Sequence, residues 1–258
     1  DHPVTRGFLC FRTSRFPERL AGPDRLRQPL LRRNGRLEAV DWAEALDVAA
    51  DRLLAIRADS GPAAIFHYRS GGSLGLLKLL ADRFFERFGP CTAKLGDICS
   101  GAGEAAQEHD FGVSDSNDLF DLRRARHVLL WGKNPVVSQV HLVPLLREVR
   151  AAGAGVVLID PVHTKAAALA DRVVQPRPGG DLALALGVAR VLFDGDLVDR
   201  EALARCAGVE ELRALAMSRT VSGWAAQADV DPAVLEDLAS RLGDGPTAIL
   251  IGWGMQRR

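Results

Sequence analysis

His127-Val128-Leu129-Leu130-Trp131-Gly132-Lys133-Asn134-Pro135, with Gly155-Val156-Val157-Leu158-Ile159-Asp160 some twenty residues on, is the stretch that decides the fold. Each is a short apolar run closed by turn or acidic residues, as strands buried on both faces of a parallel sheet are. Between them, Leu142 to Ala151 carries apolar residues at helical spacing. Strand, glycine turn, helix and strand make a βαβ unit, and the expected class is α/β. Parallel sheets flanked by helices, in Rossmann-like layers, are the expected architecture.

Downstream, Arg172 to Gln175 reads as a further strand and Asp181 to Phe193 as a helix capped by Asp181. Helical patterns follow at 199–206, 209–217 and 231–242, the last opening with Asp231-Pro232 as N-cap and first helical residue. Thr247 to Trp253 closes as a strand. Upstream, Asp41-Trp42-Ala43-Glu44 has the form of a capping box, followed by a helix through Ile56. Pro62 to Tyr68 reads as a buried strand, Ser70-Gly71-Gly72-Ser73 as a turn, and Leu74 to Phe88 as a helix stopped by Gly89. Residues 1–36 are rich in Arg, Pro and Gly and read as a short irregular N-terminal arm. Three parts are expected: 1–36, then 37–98 as the first part of an α/β domain, then 99–258 as a second α/β domain.

The 258 residues are 47% hydrophobic and 26% charged, which excludes disorder, collagen and small disulfide scaffolds. With 33 basic and 33 acidic side chains, nothing drives the whole chain toward nucleic acid or an anionic membrane. No nucleic-acid partner is expected. Four cysteines, Cys10, Cys91, Cys99 and Cys206, form no C-x-x-C pair and suit a reducing compartment. Cys91 and Cys206 lie in or beside helical stretches and are expected in the core. No apolar run reaches membrane-spanning length, and no signal peptide opens the sequence. The absent initial Met, and an end at Gln256-Arg257-Arg258 straight after a strand-like run, suggest a segment of something longer.

Ligands of open parallel sheets bind beyond the carboxyl ends of the strands. Residues 69–73, 132–135, 160–164 and 252–256 stand at such ends. Gly132-Lys133-Asn134-Pro135 offers close backbone approach, an amide and a cation; Asp160 offers an acceptor for a ribose or guanine. Gly179-Gly180-Asp181 offers a second close approach beside a carboxylate. Together they suit a nucleotide-bearing cofactor with a pyrophosphate, although neither G-x-G-x-x-G nor a P-loop is present. The bland alternative is that these glycines only make turns and Asp181 only caps its helix. The six histidines show no H-E-x-x-H spacing, His127 reads as structural, and Ser100 lacks a nucleophile elbow. Gly96-Asp97-Ile98-Cys99-Ser100-Gly101-Ala102-Gly103-Glu104 joins a thiol, three glycines and two carboxylates. A helix start with a buried Cys99 is its ordinary alternative.

Taken in order, these pieces resemble one family. They are Gly7-Phe8-Leu9-Cys10, Pro23-Asp24-Arg25-Leu26 with Pro29-Leu30, and Asp41-Trp42 with Glu44-Ala45-Leu46. Leu130-Trp131-Gly132-Lys133-Asn134-Pro135, Ile159-Asp160-Pro161 with Thr164, Ala170-Asp171, and Arg177-Pro178-Gly179-Gly180-Asp181 with Ala183-Leu184-Ala185-Leu186 follow. The chain resembles the prokaryotic molybdopterin oxidoreductases, the dimethyl-sulfoxide-reductase and formate-dehydrogenase superfamily, from about residue 3 to its end. The resemblance implies a molybdenum or tungsten ion between two molybdopterin guanine dinucleotides, with a [4Fe–4S] cluster nearby in many members. It makes Cys10 the last of four cluster cysteines, the other three lying upstream, and 1–36 a remnant of the cluster domain. Arg12 stands where the family has a lysine between cluster and pterin, keeping charge while changing geometry. Gly132, Asn134 and Pro135 match a loop on one dinucleotide; Asp160, Thr164, Gly179 and Asp181 match positions about its phosphates and guanosine. Gly252-Trp253-Gly254-Met255-Gln256 resembles a strand end facing the metal. Cys99 falls where the family places its protein ligand to the metal, with Glu104 available for proton transfer. Formate dehydrogenases follow that ligand with His and a Pro-containing loop; Ser100-Gly101-Ala102-Gly103-Glu104 here argues against formate.

The expected function is two-electron redox of a small-molecule substrate, electrons leaving through the cluster to a possible electron-transfer partner. On that resemblance 99–258 binds one dinucleotide, the second sheet lying mostly beyond residue 258. The expected location is the cytoplasm, or the periplasm if an export signal lies upstream. The alternative is a non-catalytic α/β nucleotide-binding or assembly subunit that keeps the fold without the metal.

Overall fold

The computed structural model describes residues 2–71 and 75–257, without the side chains of Gln256 and Arg257. The chain divides into two units, residues 11–101 and residues 1–10 with 102–258. The expected turn at Gly72-Ser73 and the expected helix start at Leu74 lie outside the described residues.

In the 11–101 unit two short helices, α1 (Phe11–Ser14) and α2 (Phe16–Ala21), precede a hairpin of β1 (Leu30–Arg33) and β2 (Arg36–Ala39). Its register pairs Leu30 with Ala39 and Arg33 with Arg36. Asn34 and Gly35 make the turn, both at positive φ (49° and 80°), the mirror-image geometry whose twist matches paired strands. The N-terminal arm is therefore irregular only in part, with regular structure at residues 11–14, 16–21 and 30–33 and the second hairpin strand starting at Arg36. The Asn-Gly dipeptide was the signal for the hairpin, and the surrounding arginines mask it. Helix α3 (Trp42–Ser60) starts as expected, Asp41 Oδ1 accepting from Glu44 N at 2.8 Å. The Glu44 carboxylate, however, takes the Arg33 guanidinium. Pro62 opens a tight 3-10 turn, so the expected strand shrinks to β3 (Phe66–His67). Helix α4 (Lys78–Phe88) begins later than read, Gly89 N–H closing it on Phe85 O. Strand β4 (Thr92–Ala93) then pairs parallel with β3.

The second unit opens with α5 (Gly101–Phe111), β5 (His127–Trp131), α6 (Pro135–Ser138), α7 (Leu142–Ala151) and β6 (Gly155–Ile159). It continues with β7 (Arg172–Val174), α8 (Asp181–Asp194), α9 (Arg200–Leu203), α10 (Val209–Met217), α11 (Val221–Ala228), α12 (Pro232–Gly243) and β8 (Thr247–Ile251). The strands form one parallel sheet, ordered β7-β6-β5-β8. Alternate residues feed opposite faces. Leu129, Val157 and Ile159 pack with α8, α11 and α12, whereas Val128, Leu130, Val156 and Leu158 pack with α7. These strand residues are at most 1% exposed, and each contributes about 1.5–3 kcal/mol by burial. The sheet is covered on both faces, as its continuous apolar runs require. A Cβ at Gly187 would meet Leu235 and Trp224 side chains at 2.6 and 2.9 Å, so glycine lets α8 pack closely on α11 and α12.

Three local readings change. Asp181 is not the cap of α8: Gly180 holds the N-cap position and Asp181 is the first helical residue. Trp253 to Arg257 leave the sheet as a 3-10 turn instead of extending β8. Helix α11, capped by Thr220 Oγ1 on Gly223 N at 3.0 Å, fills a stretch that its alanines left without a clear period. Among the described residues no helix is long and apolar enough to cross a membrane.

Candidate functional site

The carboxyl ends of β5, β6, β7 and β8 bring together most of the residues marked in the sequence. Gly132 N donates to Ile159 O and Gly252 N to Trp131 O, each at 2.7 Å, locking three strand ends together. A Cβ on Gly252 would overlap the Gly132 carbonyl, and Gly132 itself has a φ of +60°. Both positions need glycine. The Gly132 N–H is spent on Ile159, so Gly132 offers a ligand close approach rather than a donor.

Lys133 follows, half-buried, its ammonium pushed below the ordinary lysine value by desolvation. Asn134 stands at the N-cap position of α6 but makes no side-chain cap bond. Its Oδ1 is buried with no hydrogen-bond partner. A buried amide oxygen without a donor costs about 1–3 kcal/mol, and an N-cap asparagine usually finds one in its own helix. Pro135, buried at the first position of α6, fixes this backbone.

Two expected ligand residues carry local structural bonds. Asp160 Oδ1 accepts from Val162 N at 2.9 Å, and Thr164 Oγ1 accepts from Ala166 N at 3.3 Å. Asp160 Oδ2 has no such role. Gly179, at φ +80°, has open space beside it, whereas a Cβ at Gly180 would press within 3.0 Å of Ala228 O. Asp181 Oδ1 accepts from Trp131 Nε1 at 2.8 Å, tying the end of β5 to the start of α8. That pairing spans fifty residues of sequence, and no local pattern signals it. Gln256 lies in the turn after β8; its side chain is outside the described residues. Cys10, half-buried, and Glu104, exposed in the first turn of α5, belong to the same unit.

Asp171, part of the resembling motif, has a structural post. Burial opposes its ionisation, but Val156 N at 2.8 Å and Arg150 Nε at 2.6 Å outweigh it and hold the carboxyl below its ordinary value. His127 is structural as read: Nε2 meets Asp244 Oδ2 at 3.1 Å, at the opposite end of β5 from the site. That contact, with Arg126, lowers the Asp244 carboxyl. Cys206 is exposed rather than in the core, and Cys91 is intermediate.

Arg12 and Cys99 lie in the 11–101 unit. Arg12 is exposed on α1, and Cys99 is intermediate rather than fully buried. The Cys99 loop is shaped by Asp97, whose Oδ2 accepts from Ser100 N (2.7 Å), Ser100 Oγ (2.9 Å) and Cys99 N (3.1 Å). The Ser100 bonds chiefly, with Lys94 nearby, lower the Asp97 carboxyl to about 2. Asp97 is one of two carboxylates in the 96–104 stretch, and no local pattern in the sequence gives it this role. It lines a cavity of about 640 Å³ with His67, Arg69, Lys78, Asp82 and Lys94, at the ends of β3 and β4. Among the described residues no three His, Cys, Asp or Glu side chains converge as a metal site.

The family model for molybdopterin oxidoreductases matches residues 25–258. The probable oxidoreductase YyaE of Bacillus subtilis is 34% identical over 258 residues, 100% of this chain and 39% of that protein. The assimilatory nitrate reductase catalytic subunit of Bacillus subtilis is 30% identical over 219 residues, 83% of this chain and 31% of that protein. The acetylene hydratase of Pelobacter acetylenicus superposes with a TM-score of 0.73 at 23% identity, over 96% of this chain and 35% of that one, and shares the fold. The chain thus spans well under half the length of these relatives. With the family model covering nearly all of it and the motifs meeting at one sheet end, this chain belongs to the molybdopterin oxidoreductase family.

Proposed function

We propose that residues 102–258 hold one molybdopterin guanine dinucleotide at the carboxyl ends of β5 to β8, as part of a longer oxidoreductase. The observation that carries this reading is the buried, partnerless Asn134 Oδ1 beside the desolvated Lys133. An acceptor and a cation held ready at strand ends locked by Gly132 and Gly252 fit a polar, phosphate-bearing ligand. Lys133 would neutralise phosphate charge, Asn134 Oδ1 would accept a ligand N–H or O–H, and Asp160 and Asp181 would each offer a carboxylate oxygen to the guanosine. Gly179 leaves room at the start of α8.

The cofactor's metal, molybdenum or tungsten, supplies two-electron redox chemistry when bound. Cys99 is assigned as the protein ligand, a soft thiolate on a loop that Asp97 shapes. Glu104 would take or give the proton that accompanies substrate turnover, from its carboxyl oxygen. In the full-length protein we assign residues 1–36 to a cluster domain. Cys10 would ligate a [4Fe–4S] cluster with three upstream cysteines, Arg12 would lie on the electron path, and a second dinucleotide would complete the centre. Substrate is a small molecule other than formate, an electron-transfer partner accepts or supplies the electrons, and the cysteine usage supports a cytoplasmic location.

The test is calorimetric titration of the 258-residue chain with GDP. Binding is expected, weakened about tenfold or more by Asn134→Leu, which fills the same space without an acceptor. Indifference of GDP binding to Asn134→Leu removes the dinucleotide assignment. For the metal, full-length Cys99→Ala should lose the wild-type metal EPR signal; a retained signal makes Cys99 a packing residue and leaves the non-catalytic reading standing.

A further inference from the structure

Trp131 was not among the residues marked for the site, yet it is bonded to one of them. It ends β5, is partly buried, and packs against the core built by α8, α11 and α12. Its indole is therefore anchored on the apolar side, while Nε1 donates to Asp181 Oδ1 at 2.8 Å. Asp181 is the first residue of α8, one position past the Gly180 N-cap. Without Trp131 its carboxylate would exchange among rotamers over the first turn of α8.

We propose that Trp131 is a positioning residue for nucleobase selection: its Nε1–H fixes the Asp181 carboxylate and leaves Oδ2 as the acceptor that distinguishes guanine. An oriented Oδ2 accepts from an N–H of the guanine edge, whereas adenine presents there a bare ring nitrogen that a carboxylate repels. The bond also uses one oxygen of Asp181, so the acceptor that remains is a single oriented atom rather than a freely turning pair. Ordering it before the ligand arrives removes part of the entropic cost of binding. This inference rests on the guanosine reading above and concerns the residue that makes that reading selective.

The experiment measures GDP and ADP affinities of the 258-residue chain, with Trp131→Phe, Asp181→Asn and the double variant. Trp131→Phe keeps the ring in the core and removes only the donor. It should weaken GDP about five- to tenfold, a hydrogen bond's worth, and leave ADP nearly unchanged. The double variant should match Asp181→Asn alone, because Trp131 acts through Asp181. Equal weakening of GDP and ADP in Trp131→Phe makes the bond a structural clasp and overturns the proposal. If Asp181→Asn loses GDP preference but Trp131→Phe keeps it, only the role of Trp131 falls. If Asp181→Asn itself keeps wild-type GDP preference, the guanosine reading falls as well. A second measurement needs no Trp variant: the indole N–H resonance that shifts in Asp181→Ala should stay hydrogen-bonded in wild type throughout a GDP titration. Loss of that bond on GDP binding would also sink the proposal.

Discussion

Residues 102–258 and residues 11–101 are both α/β in kind, but they handle apolar surface in opposite ways. The first buries two clusters, one on each face of its sheet, with Val128, Leu130, Val156, Val157, Leu158 and Ile159 at 0% exposure. In the second, Val40 is the only buried hydrophobic side chain among the described residues. Along α3, Leu46 and Leu54 are 61% and 52% exposed, and along α4, Leu80 and Phe84 are 62% and 49% exposed. Asp41 caps the start of α3 and Gly89 closes the end of α4, so local signals help to form both helices. Caps and propensity contribute about 1 kcal/mol each, whereas tertiary stability comes from burying an apolar face. Similar secondary structure therefore does not imply similar stability.

Core substitution is the largest way to break this comparison. Leu158→Ala, in the centre of β6, should cost about 2–5 kcal/mol in urea unfolding followed by circular dichroism. Leu80→Ala, on an open face of α4, should change stability by about 0.5 kcal/mol or less. Equal losses would mean that the α4 face is covered in solution, and a shift in sedimentation would then identify self-association.

The same contrast explains what was legible in the sequence. β5, β6, α7, α10 and α12 were readable because their burial follows from local period and cap: continuous apolar runs for the strands, Asp231-Pro232 for α12. β8 was read two residues too long because its end is set by Gly252 passing under Gly132, a contact between segments more than a hundred residues apart. The β1–β2 hairpin was missed although Asn34-Gly35 announced it, since arginine-rich strands with exposed side chains lack an alternating pattern. Within the site, residue identity was legible and residue state was not. Asn134 and Lys133 were visible as chemistry, but only the folded chain leaves one without a donor and desolvates the other. Asp181 looked like a cap because aspartate before a helical run usually is one.

An intermediate effect comes from Asp171, which pins α7, the start of β6 and the approach to β7 through Arg150 and Val156. Asp171→Asn should cost about 1–2 kcal/mol by weakening the charge-assisted bonds. Its carboxyl is held below the ordinary 3.8, so the folded state binds its proton less readily than the unfolded chain. The stabilisation is therefore complete above about pH 4 and is lost as pH falls through the lowered value. Acid unfolding of the asparagine variant should lack that part of the slope. An unchanged slope would assign the acid sensitivity elsewhere, with Asp244 beside His127 the next carboxylate to test.

The smallest effect should have the opposite sign. Lys133 is desolvated at the site, and burial lowers its ammonium below the ordinary 10.5. A lysine shifted in this direction is easier to fold neutral than charged. At neutral pH it detracts from stability, and the penalty is relieved as pH rises through the lowered value toward 10.5. Lys133→Met keeps the aliphatic stem and removes the charge, so the ligand-free chain should melt about 1–3 °C higher. That gain should shrink in alkaline buffer, where the wild-type amine is already neutral. The same variant should bind GDP several-fold more weakly, and the GDP affinity of the wild type should fall more steeply with added salt than that of the variant. Higher stability with weaker phosphate binding would mark Lys133 as a group kept for a ligand within the otherwise well-packed unit. A lower melting temperature in Lys133→Met would show instead that the ammonium is satisfied by the protein, and the site would lose its cation.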